Sequence, residues 1–190
     1  MGEAGSSLIE AFDHVWHRFG VRLDGLTDEE YFWEPVAGCW SLRVGPGGRW
    51  ALDGGGGGGP APEPVPFTTI AWRIGHVAGG TLGGFADRLF GDGSLVPRVV
   101  EYPTTVTTLD GFLAENYARW RHGMATLDAA GWAEPLGSSW GLYADSNRVD
   151  LALHVFDEVV HHTAEVGVLR DLFEHRATLK KKGDPRGRVR

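Results

Sequence analysis

The sequence predicts an all-α domain: a four-helix bundle with long connections between its helices. Four stretches place apolar residues at steps of three, four or seven, the period of a helix with one buried face. The segments between them carry the Gly, Pro, Asn and Asp punctuation of loops. No alternating apolar–polar run is long enough for a sheet, although the loops leave room for one short strand pair. There is no internal repeat.

The first helix is expected to start at Ser6 or Ser7, with Glu10 as a capping-box partner of Ser7. Leu8, Phe12, Val15, Trp16, Phe19 and Leu23 carry its period to about Leu26. Thr27 to Glu30 opens a short helical turn, and Cys39 to Val44 reads as extended. A Gly/Pro-rich insertion at about 45–66 contains Gly54 to Gly59 and PAPEPVP, a composition suited to a flexible surface loop. The second helix runs from about Thr68 to Phe90, capped by Thr68 or Thr69. Its Ala71, Gly75, Gly79 and Gly83 form one i+4 line. Each interior glycine costs about 0.5–1 kcal/mol against alanine, which predicts a close approach by backbone or ligand along that line. The third helix spans about Thr108 to Ala129, with Phe112, Tyr117, Trp120, Met124 and Leu127 buried. Asp145, Ser146 or Asn147 caps the fourth, which runs from Asp150 to His175. Its Leu151, Val155, Val159, Val166 and Leu169 form a buried face, widened by Leu153, Phe156, Val160 and Leu172. The bundle is expected over 1–176. The remainder, 177–190, reads as a basic tail without fixed structure.

Composition excludes several functions. A hydrophobic fraction of 42% in 190 residues suits one domain with a proper core. A formal net charge of -7 gives no general case for nucleic acid or an anionic membrane. No apolar run approaches the roughly 18 residues of a membrane span. The N-terminus lacks the pattern of a signal peptide. Cys39, the one cysteine, rules out an internal disulfide and suits a reducing cytoplasm. Eight tryptophans leave some to line a pocket, with Trp33, Trp40 and Trp72 the candidates.

The chemistry is concentrated in the fourth helix. His154, Glu158 and His162 are spaced by four and stand in a column, with His161 beside it. Burying a carboxylate and several imidazoles together demands partners. A divalent cation supplies them, since neutral imidazole and ionised carboxylate are what a borderline ion takes. A polar stripe partly facing solvent, continued by Glu165 and Arg170, is the alternative. Asp157 and Glu165 are candidates to orient the imidazoles, and His154 to add a ligand.

The pair TTIAWRIGHVAGG and HVFDEVVHHTAEVGVLRDL resembles the DinB-like superfamily of metal-binding four-helix bundles. The W-x3-H of Trp72 to His76 and the double histidine His161-His162 before a small residue carry the likeness. Carried over position by position, the second-helix ligand falls on His76. The fourth-helix pair falls on Glu158 and His162. The Glu form resembles the metal-binding domain of mycothiol-dependent maleylpyruvate isomerase. That isomerase has a further C-terminal domain contributing to catalysis, so isomerase activity is not expected from these 190 residues. The resemblance implies a divalent ion, zinc or nickel, and a low-molecular-weight thiol such as mycothiol transferred to a small electrophile. It also implies a homodimer. A non-catalytic metal-binding or stress-response bundle and a metal-dependent hydrolase remain as alternatives.

Overall fold

The structure is a computed structural model that describes residues 3–57 and 62–181. Helix α1 is Glu3–Leu23, followed by the short α2, Asp28–Tyr31. Strands β1, Leu42–Val44, and β2, Trp50–Leu52, pair antiparallel with Leu42 opposite Leu52. The second long helix has three parts. These are α3, Ile70–Ile74, a π-helical segment, Gly75–Gly83, and α4, Gly84–Phe90. Helix α5, Leu109–Ala125, and the short α6, Ala129–Ala133, precede α7, Arg148–Glu174. A final turn, α8, spans Arg176–Lys181 and takes up the first part of the basic segment. The rest of the expected tail, 182–190, lies outside the described residues.

The fold is the expected all-α bundle of α1, the second long helix, α5 and α7. Phe12, Trp120, Met124, Val155 and Val159 fill one half of its core. Phe19, Tyr31, Ile70, Ile74 and Val166 fill the other. The expected apolar face of α7 is buried at Leu151, Val155, Val159, Val166 and Leu169. Its flank divides: Phe156 packs against Phe12 and the core and Leu172 is half-buried, whereas Leu153 and Val160 are exposed.

Helix starts follow the caps that satisfy orphan N–H groups. Thr69 accepts from the Trp72 N–H at 3.2 Å. Asn147 accepts from the Asp150 N–H at 3.0 Å and Asp150 accepts from the Asn147 N–H at 2.9 Å, a reciprocal capping box. Helix α1 differs. It is already helical at Glu3, and the Ser7 hydroxyl donates to the Glu3 carbonyl at 3.1 Å from inside the first turn. The third helix stops at Ala125, because Asp128 starts a separate turn by accepting from the Gly131 N–H at 2.8 Å.

The glycine line of the second helix is closely packed, but by side chains. A Cβ on Gly75 would stand 2.8 Å from Leu52, one on Gly79 3.0 Å from Phe112, and one on Gly83 2.0 Å from Asn116. These three glycines are buried inside the chain. No helix among the described residues is long and apolar enough to cross a membrane.

The far end of the bundle is held by one buried ion pair. Arg170 of α7 donates to Glu30 of α2 at 2.8 and 3.3 Å, to the Asp24 carbonyl at 2.9 Å, and to the Arg22 carbonyl. Glu30 is only 5% exposed. Removing one partner of a buried pair leaves the other charged and dry, which costs about 3–5 kcal/mol. Urea unfolding should therefore show Arg170→Met destabilised by about that amount, and Glu30→Leu in the same chain should restore part of it.

Candidate metal centre

Two packing choices carry His76 to its place. A π turn closes i→i+5 bonds and holds more residues per turn than an α turn, so the residues within it face a different direction. His76 is the second residue of the π segment. The absent side chain of Gly75, directly before it, lets Leu52 settle against the helix. That pins β2, and the chain leaving β2 turns back over His76.

This turn lies inside the insertion expected at about 45–66, where composition alone suggested a flexible surface loop; strand β2 and the turn after it are instead ordered parts of the fold. Gly54, Gly55, Gly56 and Gly57 all take left-handed backbone, with φ of 63, 64, 79 and 90°. A run of such angles is open only to glycine. A Cβ on Gly54 would also stand 2.4 Å from the Trp40 ring. Asp53 anchors the turn. Its carboxylate accepts from the Ser41 N–H and from Arg43, both at 2.9 Å, and its carbonyl accepts from the Trp72 indole at 2.9 Å. The Gly56 carbonyl then lies 2.7 Å from His76 Nδ1. A carbonyl only accepts, so Nδ1 carries the hydrogen and Nε2 faces the other way. Trp72 stacks on the same ring at 5.1 Å and 15°.

His76 Nε2 is 3.0 Å from Glu158 Oε2, and His162 Nε2 is 3.2 Å from the same oxygen. The two rings stand nearly perpendicular, 4.9 Å apart. His162 Nδ1 is 2.6 Å from Glu165 Oε2 and 3.1 Å from Arg73 Nη1. The closer, carboxylate partner takes the Nδ1 hydrogen. Both imidazoles are thus held from behind by an acceptor, and both turn Nε2 onto one carboxylate oxygen. His76, Glu158 and His162 side chains are 16, 26 and 12% exposed, so the cluster is sheltered but reachable.

Two lone pairs aimed at a carboxylate repel it unless a positive charge lies between them. Protons or a metal ion can fill that place, and the titration of the cluster shows the pull of the first. Hydrogen bonds from His162 and then His76 hold the Glu158 carboxyl well below the usual carboxylate range. Burial opposes the charging of His162, but hydrogen bonds to Glu158 and Glu165 outweigh it and raise the pKa. Burial likewise works against the ionised Glu165, yet His162 and Arg73 keep its carboxyl below the ordinary value. The donor set also fits an ion. Ligand atoms each about 2.0–2.2 Å from a tetrahedral ion lie roughly 3.3–3.6 Å apart, near the 3.0 and 3.2 Å at which the two imidazoles approach the carboxylate. The three ligand atoms all lie within 4.8 Å of one another.

The family profile of the DinB superfamily matches residues 11–166. The chain belongs to the DinB superfamily. No curated protein and no solved structure matches it. His76, Glu158 and His162, the positions that the resemblance singled out, lie inside the DinB match and converge in space.

The other candidates fall into place around them. Glu165 reaches His162 as expected, whereas Asp157 is exposed on the far side of α7. His154 does not join the column. Each residue advances about 100°, so eight residues drift about 80° around the axis, and the ring lies instead against Tyr143 and Phe85 at 6.0 and 6.1 Å. His161 is on the open side, its Nε2 3.4 Å from Glu165 Oε1. Trp40 backs Trp72 at 5.7 Å, but Trp33 packs on Phe173, by the Arg170 clamp. The Cys39 thiol is buried, donates to the Val36 carbonyl, and has its pKa raised by that burial.

Sequence reasoning missed Arg73 and the Gly56 carbonyl. Arg73 carried a signal, since i+3 spacing on one helix puts it beside His76. Nitrogen NMR of the wild type should show His76 protonated at Nδ1, and Gly54→Ala, which drives a methyl into Trp40, should give a mixture of tautomers.

Proposed function

We propose that this DinB protein binds one divalent ion through His76, Glu158 and His162 and uses it to transfer a low-molecular-weight thiol to a small electrophile. The observation that carries the reading is the meeting of two back-anchored Nε2 atoms on a single oxygen of Glu158. Three protein ligands leave a coordination position open, and a zinc or nickel ion so held supplies a Lewis acid that keeps a thiol as thiolate or lowers the pKa of water.

The chain's own residues supply the rest. Gly56 and Glu165 keep the Nδ1 hydrogens in place, so Nε2 stays free to ligate. Trp72 covers one face of His76 against water. A groove of about 660 Å³ begins at Arg73, His161 and Glu165 and continues between Phe67, Val160 and Val168. Its size and apolar walls suit a small organic substrate. The thiol itself rests on the family resemblance. With a formal net charge of -7, nucleic acid is not the substrate this reading favours.

Protein purified without a metal-affinity column should carry about one divalent ion per chain by elemental analysis, and His162→Ala about none, with the helical circular dichroism retained. Glu165→Ala should weaken binding about 10- to 100-fold by releasing the His162 ring. Protons compete for His162, whose pKa is raised, so ion affinity should be full above that pKa and fall as pH drops through it. The expected slope is about tenfold per pH unit for each proton displaced. Product formed from an aryl halide or an epoxide only when thiol is present supports thiol transfer. Turnover unchanged without thiol would favour the hydrolase reading.

A further inference from the structure

A second group of ligand-type atoms stands on the other side of the His162 ring. His161, His162 and Glu165 bring one ligand atom each within 4.8 Å of one another. His161 Nε2 is 3.4 Å from Glu165 Oε1, and His162 Nδ1 is 2.6 Å from Glu165 Oε2. By spacing alone, the centre could take two ions that share the His162 imidazole.

Arg73 already stands there. Its Nε is 2.9 Å from Glu165 Oε2 and its Nη1 is 3.1 Å from His162 Nδ1. It therefore stands against two of the three residues that a second ion would need. The guanidinium is pinned: the side chain is 17% exposed, and its carbon lies 5.2 Å from the centre of the Trp72 ring. We infer that Arg73 is the resident cation of this second position, a fixed positive charge that keeps the metal centre mononuclear. The inference rests on the reading of His76, Glu158 and His162 as the site of the first ion.

The chemistry follows from what a guanidinium is. Burial lowers the Arg73 pKa against the pull of Glu165 and Glu158, but a guanidinium is still the charged form near neutral pH, donates only, and cannot leave. A divalent ion beside it would meet full charge repulsion at contact distance in a half-buried place. Without the guanidinium, His161 and Glu165 offer an imidazole and a carboxylate one helical turn apart. His162 Nδ1, 2.6 Å from the Glu165 carboxylate, is the third ligand atom of that set. Arg73 thus sets how many ions the centre accepts. Chemistry that needs two ions side by side is closed to it, while single-ion chemistry is kept.

The test is the zinc stoichiometry of the full chain. Each protein is stripped with chelator, titrated with zinc(II) by calorimetry, and analysed for zinc after desalting, with circular dichroism to verify folding. The wild type and Arg73→Lys should each hold one ion, because both keep the charge. Arg73→Met should hold two, and the double variant Arg73→Met/His161→Ala should return to one. Arg73→Gln, whose amide can still hydrogen-bond to Glu165, carries the same expectation of two should the Met variant not fold. One ion in the folded Met or Gln variant, or two in Arg73→Lys, overturns the inference while leaving the first site intact. A wild type that binds none overturns the first site itself, and the inference with it.

Discussion

The structure around the centre depends on one constraint: each histidine is held by its Nδ1 hydrogen before anything meets its Nε2. For His76 the holder is a main-chain carbonyl, Gly56, and for His162 it is a carboxylate, Glu165. His76 cannot swap nitrogens without losing the Gly56 carbonyl in a sheltered place, and an unmade buried hydrogen bond costs about 1–3 kcal/mol; at His162 a swap would exchange the Glu165 carboxylate for the Arg73 guanidinium as the partner of Nδ1. The fold therefore fixes ring orientation and tautomer in advance. Glu158 is left facing two nitrogens that only a positive charge can reconcile with it.

That constraint explains features that otherwise look unrelated. The glycines of the second helix weaken it as a helix, yet Gly75 admits Leu52, Leu52 fixes the strand pair, and the strand pair aims the Gly54–Gly57 turn at His76. The π segment places His76 on the side of the helix that faces α7. At the opposite end, the Arg170–Glu30 pair ties α7 to α2 and to the end of α1. The helix carrying Glu158 and His162 is thus secured beyond the site as well as within it.

Much of this was legible in the sequence, for physical reasons that can be named. The buried face of α7 could be read because a half-covered helix repeats its apolar residues, and the residues at that period are the buried ones. His76, Glu158 and His162 could be read because motif halves on separate helices had to match together. The role of the glycine run could not. The same residues suit a flexible linker and a left-handed turn, and composition does not separate them. The column of His154 with His162 failed because spacing by four ignores the drift of the helix over two turns. Leu153 and Val160 were read as covered because apolar residues suggest burial, but both are exposed, while Phe156 of the same flank packs against the core.

The most direct test of the central claim is X-ray absorption spectroscopy of the zinc- or nickel-loaded protein at neutral pH, which reads the ion's neighbours rather than its presence. The account predicts two imidazoles and a carboxylate oxygen at about 2.0–2.2 Å, with remaining light-atom ligands from solvent. A shell of water oxygens with one imidazole or none would contradict it, because the two rings would then not share the ion that their anchoring prepares them to hold.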